Sequence, residues 1–76
     1  MYYNRLPWNE RLRKERQGRF WTQEELAEML GADPRTVRRW EHGHGKPSYL
    51  HIRGLSKIFD KTPTQLGFMN EEDNDV

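Results

Sequence analysis

The sequence predicts an all-α domain, and three observations carry that reading. Apolar residues recur at helical spacing throughout, with no sustained alternation of period two. Threonine or aspartate followed by proline or glutamate marks helix starts, and glycine marks the stops between them. Finally, 76 residues without a cysteine allow one small core of short helices, with no disulfide or thiolate zinc to support it. The expectation is a compact bundle of five helices without sheet.

Helix 1 starts near Leu6-Pro7, with proline in the first turn where its missing N–H loses no hydrogen bond. Trp8 and Leu12 are four residues apart and share a face that Arg16 continues, and Gln17-Gly18-Arg19 closes the helix. Helix 2 opens at Thr22, with Glu25 three residues on to complete a capping box, and its inner face is Leu26, Ala27 and Leu30. Gly31 then supplies the left-handed turn. Asp33-Pro34 reads as N-cap and first-turn proline, so helix 3 begins at once, buries Val37 and Trp40, and ends near His42-Gly43. A loop with two glycines and a proline leads to helix 4, whose apolar positions are Ile52, Leu55, Ile58 and Phe59. Thr62-Pro63-Thr64-Gln65 repeats the cap, proline and box pattern and opens a fifth helix carrying Leu66 and Phe68. The domain thus occupies residues 6–69, after an N-terminal arm of residues 1–5. The acidic NEEDNDV stretch, residues 70–76, reads as a disordered tail.

The net charge of +1 conceals an uneven distribution. Glu71, Glu72, Asp73 and Asp75 hold four of the twelve acids, so the preceding residues carry thirteen bases against eight acids. A basic body suits a polyanionic partner without requiring one. No apolar run approaches the ~20 residues of a membrane span. Nor does the start of the chain carry the apolar stretch of a secretory signal. A cytoplasmic protein is the expectation.

On a helical wheel at about 100° per residue with Val37 at zero, Trp40 falls at about 300°. Arg38 falls at about 100° and His42 at about 140°, with Arg35 at about 160° and Arg39 at about 200°, all opposite the core. Helices 2 and 3 are joined by about three residues including a glycine, the geometry of a helix-turn-helix whose second helix enters the major groove of DNA. Arginine suits that groove because its guanidinium can pair with O6 and N7 of guanine.

Residues 23–42 resemble the helix-turn-helix of the Cro/repressor-type (XRE) family of bacterial and phage DNA-binding regulators. Gln23, Leu26, Ala27, Leu30, Gly31, Val37, Trp40 and Glu41 match, followed by Gly43. The resemblance extends through Pro47-Ser48, Leu55 and "TPTQL", and back to Arg16, covering residues 6–68. More loosely, the chain looks like the N-terminal module of larger multidomain bacterial regulators. The resemblance implies a lambda-repressor-like fold that binds double-stranded DNA at the bacterial nucleoid and controls transcription, as a homodimer on DNA, with the isolated domain monomeric where another region supplies dimerisation. It also implies that Arg35 and Arg39 read bases, with Pro34 and Thr36 against thymine methyls or phosphate. Arg38 departs from the family's frequent small residue and would add either a base contact or a phosphate contact on that face. Gln23 and Thr22 at the start of helix 2, His42 and Lys46 in the following loop, and Tyr49 at helix 4 would meet phosphates. Arg16 and Glu41 correspond to a structural pair bridging helix 1 to the end of helix 3. Ala27, Gly31, Val37 and Trp40 are structural as well. Family members often dimerise through the end of helix 4 and helix 5, here with Phe68 and Met69 exposed.

Each reading has a plainer rival. Charge runs usually face only water, but the two-helix spacing favours DNA contact for the arginines. His42, His44 and His51 lack the four-ligand pattern of structural zinc, so no metal or cofactor is expected. Trp8, Trp21 and Trp40 could stack on single-stranded bases, yet their positions read as core. Arg11, Arg13 and Lys14 read as an ordinary polar face. Catalysis has no nucleophile and base set, no phosphate-cradling glycine loop, and little room for a pocket, so an enzyme is not expected. The remaining alternative is a helix-turn-helix module, antitoxin or adaptor, that binds a protein. Such a face would expose more apolar surface than helix 3 does.

Overall fold

Each helix of the computed structural model, which describes residues 6–69, ends where its caps say it should. Among the described residues there are four helices and no strand: α1 (Trp8–Gly18), α2 (Gln23–Leu30), α3 (Pro34–Glu41) and α4 (Tyr49–Phe59). The expected arm and acidic tail lie outside the described residues.

Thr22 accepts from the Glu25 backbone N–H at 3.0 Å, and Glu25 accepts from the Thr22 N–H at 2.8 Å, the full capping box. Asp33 and Ser48 accept backbone N–H bonds at the starts of α3 and α4. Pro7 sits at the N-cap of α1, one position before the first turn. At the end of α2, Gly31 turns left-handed at φ 69°. Its N–H then reaches Glu28 and that of Ala32 reaches Ala27, giving the crossed pair of bonds of a Schellman motif. The same crossed pair ends α1, but there the left-handed residue is Phe20, at φ 60°, and not the nearby Gly18.

The expected fifth helix does not form. Thr62 and Gln65 do make their reciprocal box, at 2.9 and 3.1 Å, and Leu66 bonds back to Thr62. One turn later Gly67 goes left-handed at φ +89°, and the N–H groups of Gly67 and Phe68 bond to Thr64 and Pro63. Start and stop signals so close together leave a single capped turn, too short for a helix.

The core is one cluster of Leu12, Leu26, Ala27, Val37, Trp40, Leu55, Phe59, Leu66 and Phe68, with Trp8, Trp21, Leu30, Ile52 and Ile58 packed against it. Burying each large apolar side chain contributes about 1.5–3 kcal/mol before entropy is counted. All three tryptophans therefore belong to the core or its edge. Trp8 lies 5.6 Å from Phe68, and Trp21 stacks on Phe59 at 6.0 Å. Phe68 is buried, contrary to its expected exposure, because Gly67 folds it back onto Trp8; Met69 is exposed.

Two charged side chains outside the proposed reading face are structural. Arg11, expected as ordinary surface, donates to the carbonyls of Leu6, Thr64 and Gln65, pinning the 62–69 segment to α1. Glu15 is buried and bonds Arg19 at 2.7 Å and Lys61 at 3.5 Å, while Arg19 also donates to the Phe59 carbonyl. The expected lack of room for a pocket is also corrected. An open groove of about 510 Å³ runs beside α4, lined by residues such as Tyr49, Ile52, Arg53, Ser56 and Pro63, with no histidine or cysteine among its lining residues.

Candidate nucleic-acid interface

Pro34 at N1 and the Asp33 cap start α3 directly after the turn that ends α2, and α2 and α3 pack against each other more extensively than any other helix pair among the described residues. Val37 and Trp40 face inward, with Ala27 small enough to let α3 approach α2. That burial decides the outward face: Arg35, Arg38, Arg39 and His42 are all exposed or at its margin, as the wheel expects. Thr36 is half-buried at its edge, beside Pro34. The helix is thus cationic on its outer surface and apolar on its underside.

A buried ion pair holds this helix. Arg16 donates from Nε to Glu41 Oε2 at 2.6 Å and from Nη2 to Oε1 at 2.9 Å, a two-point grip. Only 11% of the Arg16 side chain and 2% of that of Glu41 are exposed. Nη1 of Arg16 completes the arrangement on the Trp21 carbonyl at 2.8 Å. The hydrogen bond to Glu41 raises the Arg16 pKa above its ordinary value against the opposing effect of burial, so the guanidinium stays charged.

Gln23, read as a phosphate donor, is engaged within the protein: its Nε2 donates to Glu41 Oε1 at 3.1 Å. It remains half-buried at the first turn of α2, with a second Nε2 proton available. Thr22 likewise has its hydroxyl oxygen occupied by the capping box. Asn9, which the sequence did not single out, donates to the Glu41 carbonyl at 3.4 Å, and lies beside Gly43. Its polar side chain sits next to the α1 stripe without any periodicity to mark it.

Beyond α3, His42 and His44 have ring centroids 6.4 Å apart, and both are exposed with Lys46. Nη2 of Arg39 lies close to Gly45 of this loop. His51 is apart from them, its ring edge-on to Trp40 at 5.0 Å and its backbone N–H on Ser48. Among the described residues no three metal-ligating side chains converge. Tyr49, next to the Ser48 cap, is largely exposed. The structure therefore gathers the three arginines, His42 and Lys46 along α3 and its loop, with Thr22 and Gln23 at the α2 start and Tyr49 at the α4 start.

The chain is similar to the HTH-type transcriptional activator BcrR of Enterococcus faecalis, 36% identical over 61 residues, which are 80% of this chain and 30% of that protein. It spans less than a third of that relative's length. No solved structure matches the chain. Residues 12–66 match the helix-turn-helix family model, a span running from the α1 core leucine to the last buried leucine and containing the whole two-helix unit. The chain belongs to the helix-turn-helix family of the Cro/repressor (XRE) type.

Proposed function

We propose that the protein is a sequence-specific double-stranded DNA-binding domain of a bacterial or phage transcriptional regulator, with α3 in the major groove. The observation that carries this reading is the exposed triad Arg35, Arg38 and Arg39 on a helix whose opposite face is locked by Val37, Trp40 and the Arg16–Glu41 pair. A rigidly mounted cationic helix fits base reading, because unbraced side chains would lose their advantage in ordering. Arg35 and Arg39 read bases, Arg38 adds a base contact, and Pro34 and Thr36 line the groove. Thr22, Gln23, His42, Lys46 and Tyr49 meet phosphates on either side. Similarity to a transcriptional activator supports a role in transcription.

One such domain spans about 4–6 base pairs, so the working form is a homodimer on half-sites about one helical turn apart. No cofactor takes part in this reading, and the domain is no enzyme. Among the described residues no helix is long and apolar enough to cross a membrane.

The test is selection of bound duplexes from a randomised pool at about 150 mM salt, where non-specific binding is already weakened. A recovered motif containing guanines supports the reading, and an inverted repeat supports the dimer. Affinity for random duplex should also fall with log salt at about −0.9 per neutralised phosphate. No enrichment by folded protein, together with no salt-dependent binding, overturns it in favour of a protein-binding module.

A further inference from the structure

The Asp33 carboxylate performs two tasks at once. Its Oδ1 accepts the Arg35 backbone N–H at 2.8 Å, which caps α3, and also accepts Arg35 Nε at 3.2 Å. Its Oδ2 accepts Arg35 Nη2 at 3.1 Å. A guanidinium has a side-on edge, formed by Nε and one Nη, and an end-on edge formed by both Nη groups; each can grip two acceptors. Asp33 occupies the side-on edge of Arg35. At the end-on edge Nη1 and the second Nη2 hydrogen have no partner among the described residues, and 83% of the side chain is exposed.

Arg16 shows the same geometry completed inside the protein. Its side-on edge grips Glu41 and its Nη1 reaches a second acceptor, the Trp21 carbonyl. Arg35 has the first half of that arrangement and presents the second half outward. Among the described residues no carboxylate clamps Arg38 or Arg39.

We propose that Asp33 is a specificity-determining positioning residue, holding Arg35 so that its end-on edge meets O6 and N7 of a guanine. This rests on the reading of Arg35 as a base contact. Clamping removes most of the rotamers that an arginine would otherwise lose on binding. The carboxylate also repels phosphate, the alternative partner for a freely swinging guanidinium, so Arg35 is confined to bases. Both effects raise discrimination more than affinity.

The experiment begins with duplexes selected from a randomised pool by the wild-type chain. The base pair whose preference disappears in Arg35→Ala is the one Arg35 reads. Asp33→Asn is then measured against the selected duplex and its single-base variants. Asparagine caps a helix as well as aspartate does, so thermal unfolding should stay close to wild type. It offers one acceptor oxygen and no charge, so the two-point clamp is lost. The expected result is a fall of about tenfold in discrimination at that base pair alone, part of what one bidentate contact supplies. Unchanged discrimination, with affinity for all duplexes raised alike, would reduce Asp33 to a repulsive charge and overturn the proposal. A uniform loss at every position with lowered unfolding temperature would make it only a cap, with the same consequence. If the wild-type chain selects no motif, or Arg35→Ala leaves every preference intact, the base-reading role fails before Asp33 is tested and the proposal falls with it.

Discussion

Gln23 Nε2 donates to Glu41 Oε1 at 3.1 Å, so the carboxylate at the end of α3 is tied to the first turn of α2 as well as to Arg16 of α1. One acidic side chain thereby fixes three helices around the proposed reading face. Glu41→Ala should cost about 3 kcal/mol in urea unfolding, because it strands the Arg16 charge in a mostly buried position. The double change Arg16→Met/Glu41→Leu should recover most of that loss, since apolar replacement removes the desolvation cost along with the attraction. A single-variant loss below about 1 kcal/mol would mean that solvent reaches the pair and that it does not hold α3.

Arg35→Ala and Arg39→Ala should each cost about 1–3 kcal/mol on the selected duplex and flatten preference at one base pair. Their folding stability should stay within about 0.5 kcal/mol of wild type, as neither side chain is part of the core. Gln23→Ala should weaken binding to every duplex alike. It should also lower stability by about 0.5–1.5 kcal/mol, because the amide bonds Glu41. Competition binding with single-base variants, alongside urea melts, separates the two patterns. Equal effects of the arginine changes on all sequences would make them phosphate contacts.

Phe20 combines φ 60° with 92% exposure, so it bears left-handed strain and buries almost nothing in return. Asparagine tolerates that backbone far better. Phe20→Asn should therefore stabilise the fold by about 0.5–1 kcal/mol, a rise of several degrees in melting temperature for a domain this small.

Gly67 and Gly31 both turn left-handed, but a substitution should affect them unequally. A Cβ at Gly67 would lie 3.0 Å from Cα of Trp8 and 3.1 Å from Cδ of Arg11, whereas at Gly31 it would meet nothing within 4 Å. Gly31→Ala should cost about 1 kcal/mol, the strain alone. Gly67→Ala should cost about 2–3 kcal/mol, with the added close contact prising the 62–69 segment from α1. Thermal melts of the two variants give the comparison directly.

The order of residues alone determines the four helices, the α2–α3 turn and the inward faces. These follow from interactions between near neighbours in the chain: Thr22 with Glu25, Asp33 with the Arg35 N–H, and Val37 and Trp40 at one helical period. The outward direction of Arg35, Arg38 and Arg39 follows from the same period. The Arg16–Glu41 pair was legible only through resemblance, since nothing local to either residue names a partner 25 positions away. Tertiary structure decided the rest. Whether Arg11 was surface or strut depended on the carbonyls of Thr64 and Gln65, far along the chain, and Gln23 took Glu41 as acceptor because folding brings α3's end to α2's start. The same applies to Phe68, exposed on a five-helix reading but turned inward by Gly67 once the last turn docks on Trp8. Local geometry sets backbone and face at short range. Long polar side chains take partners that only the packed fold brings within hydrogen-bonding distance.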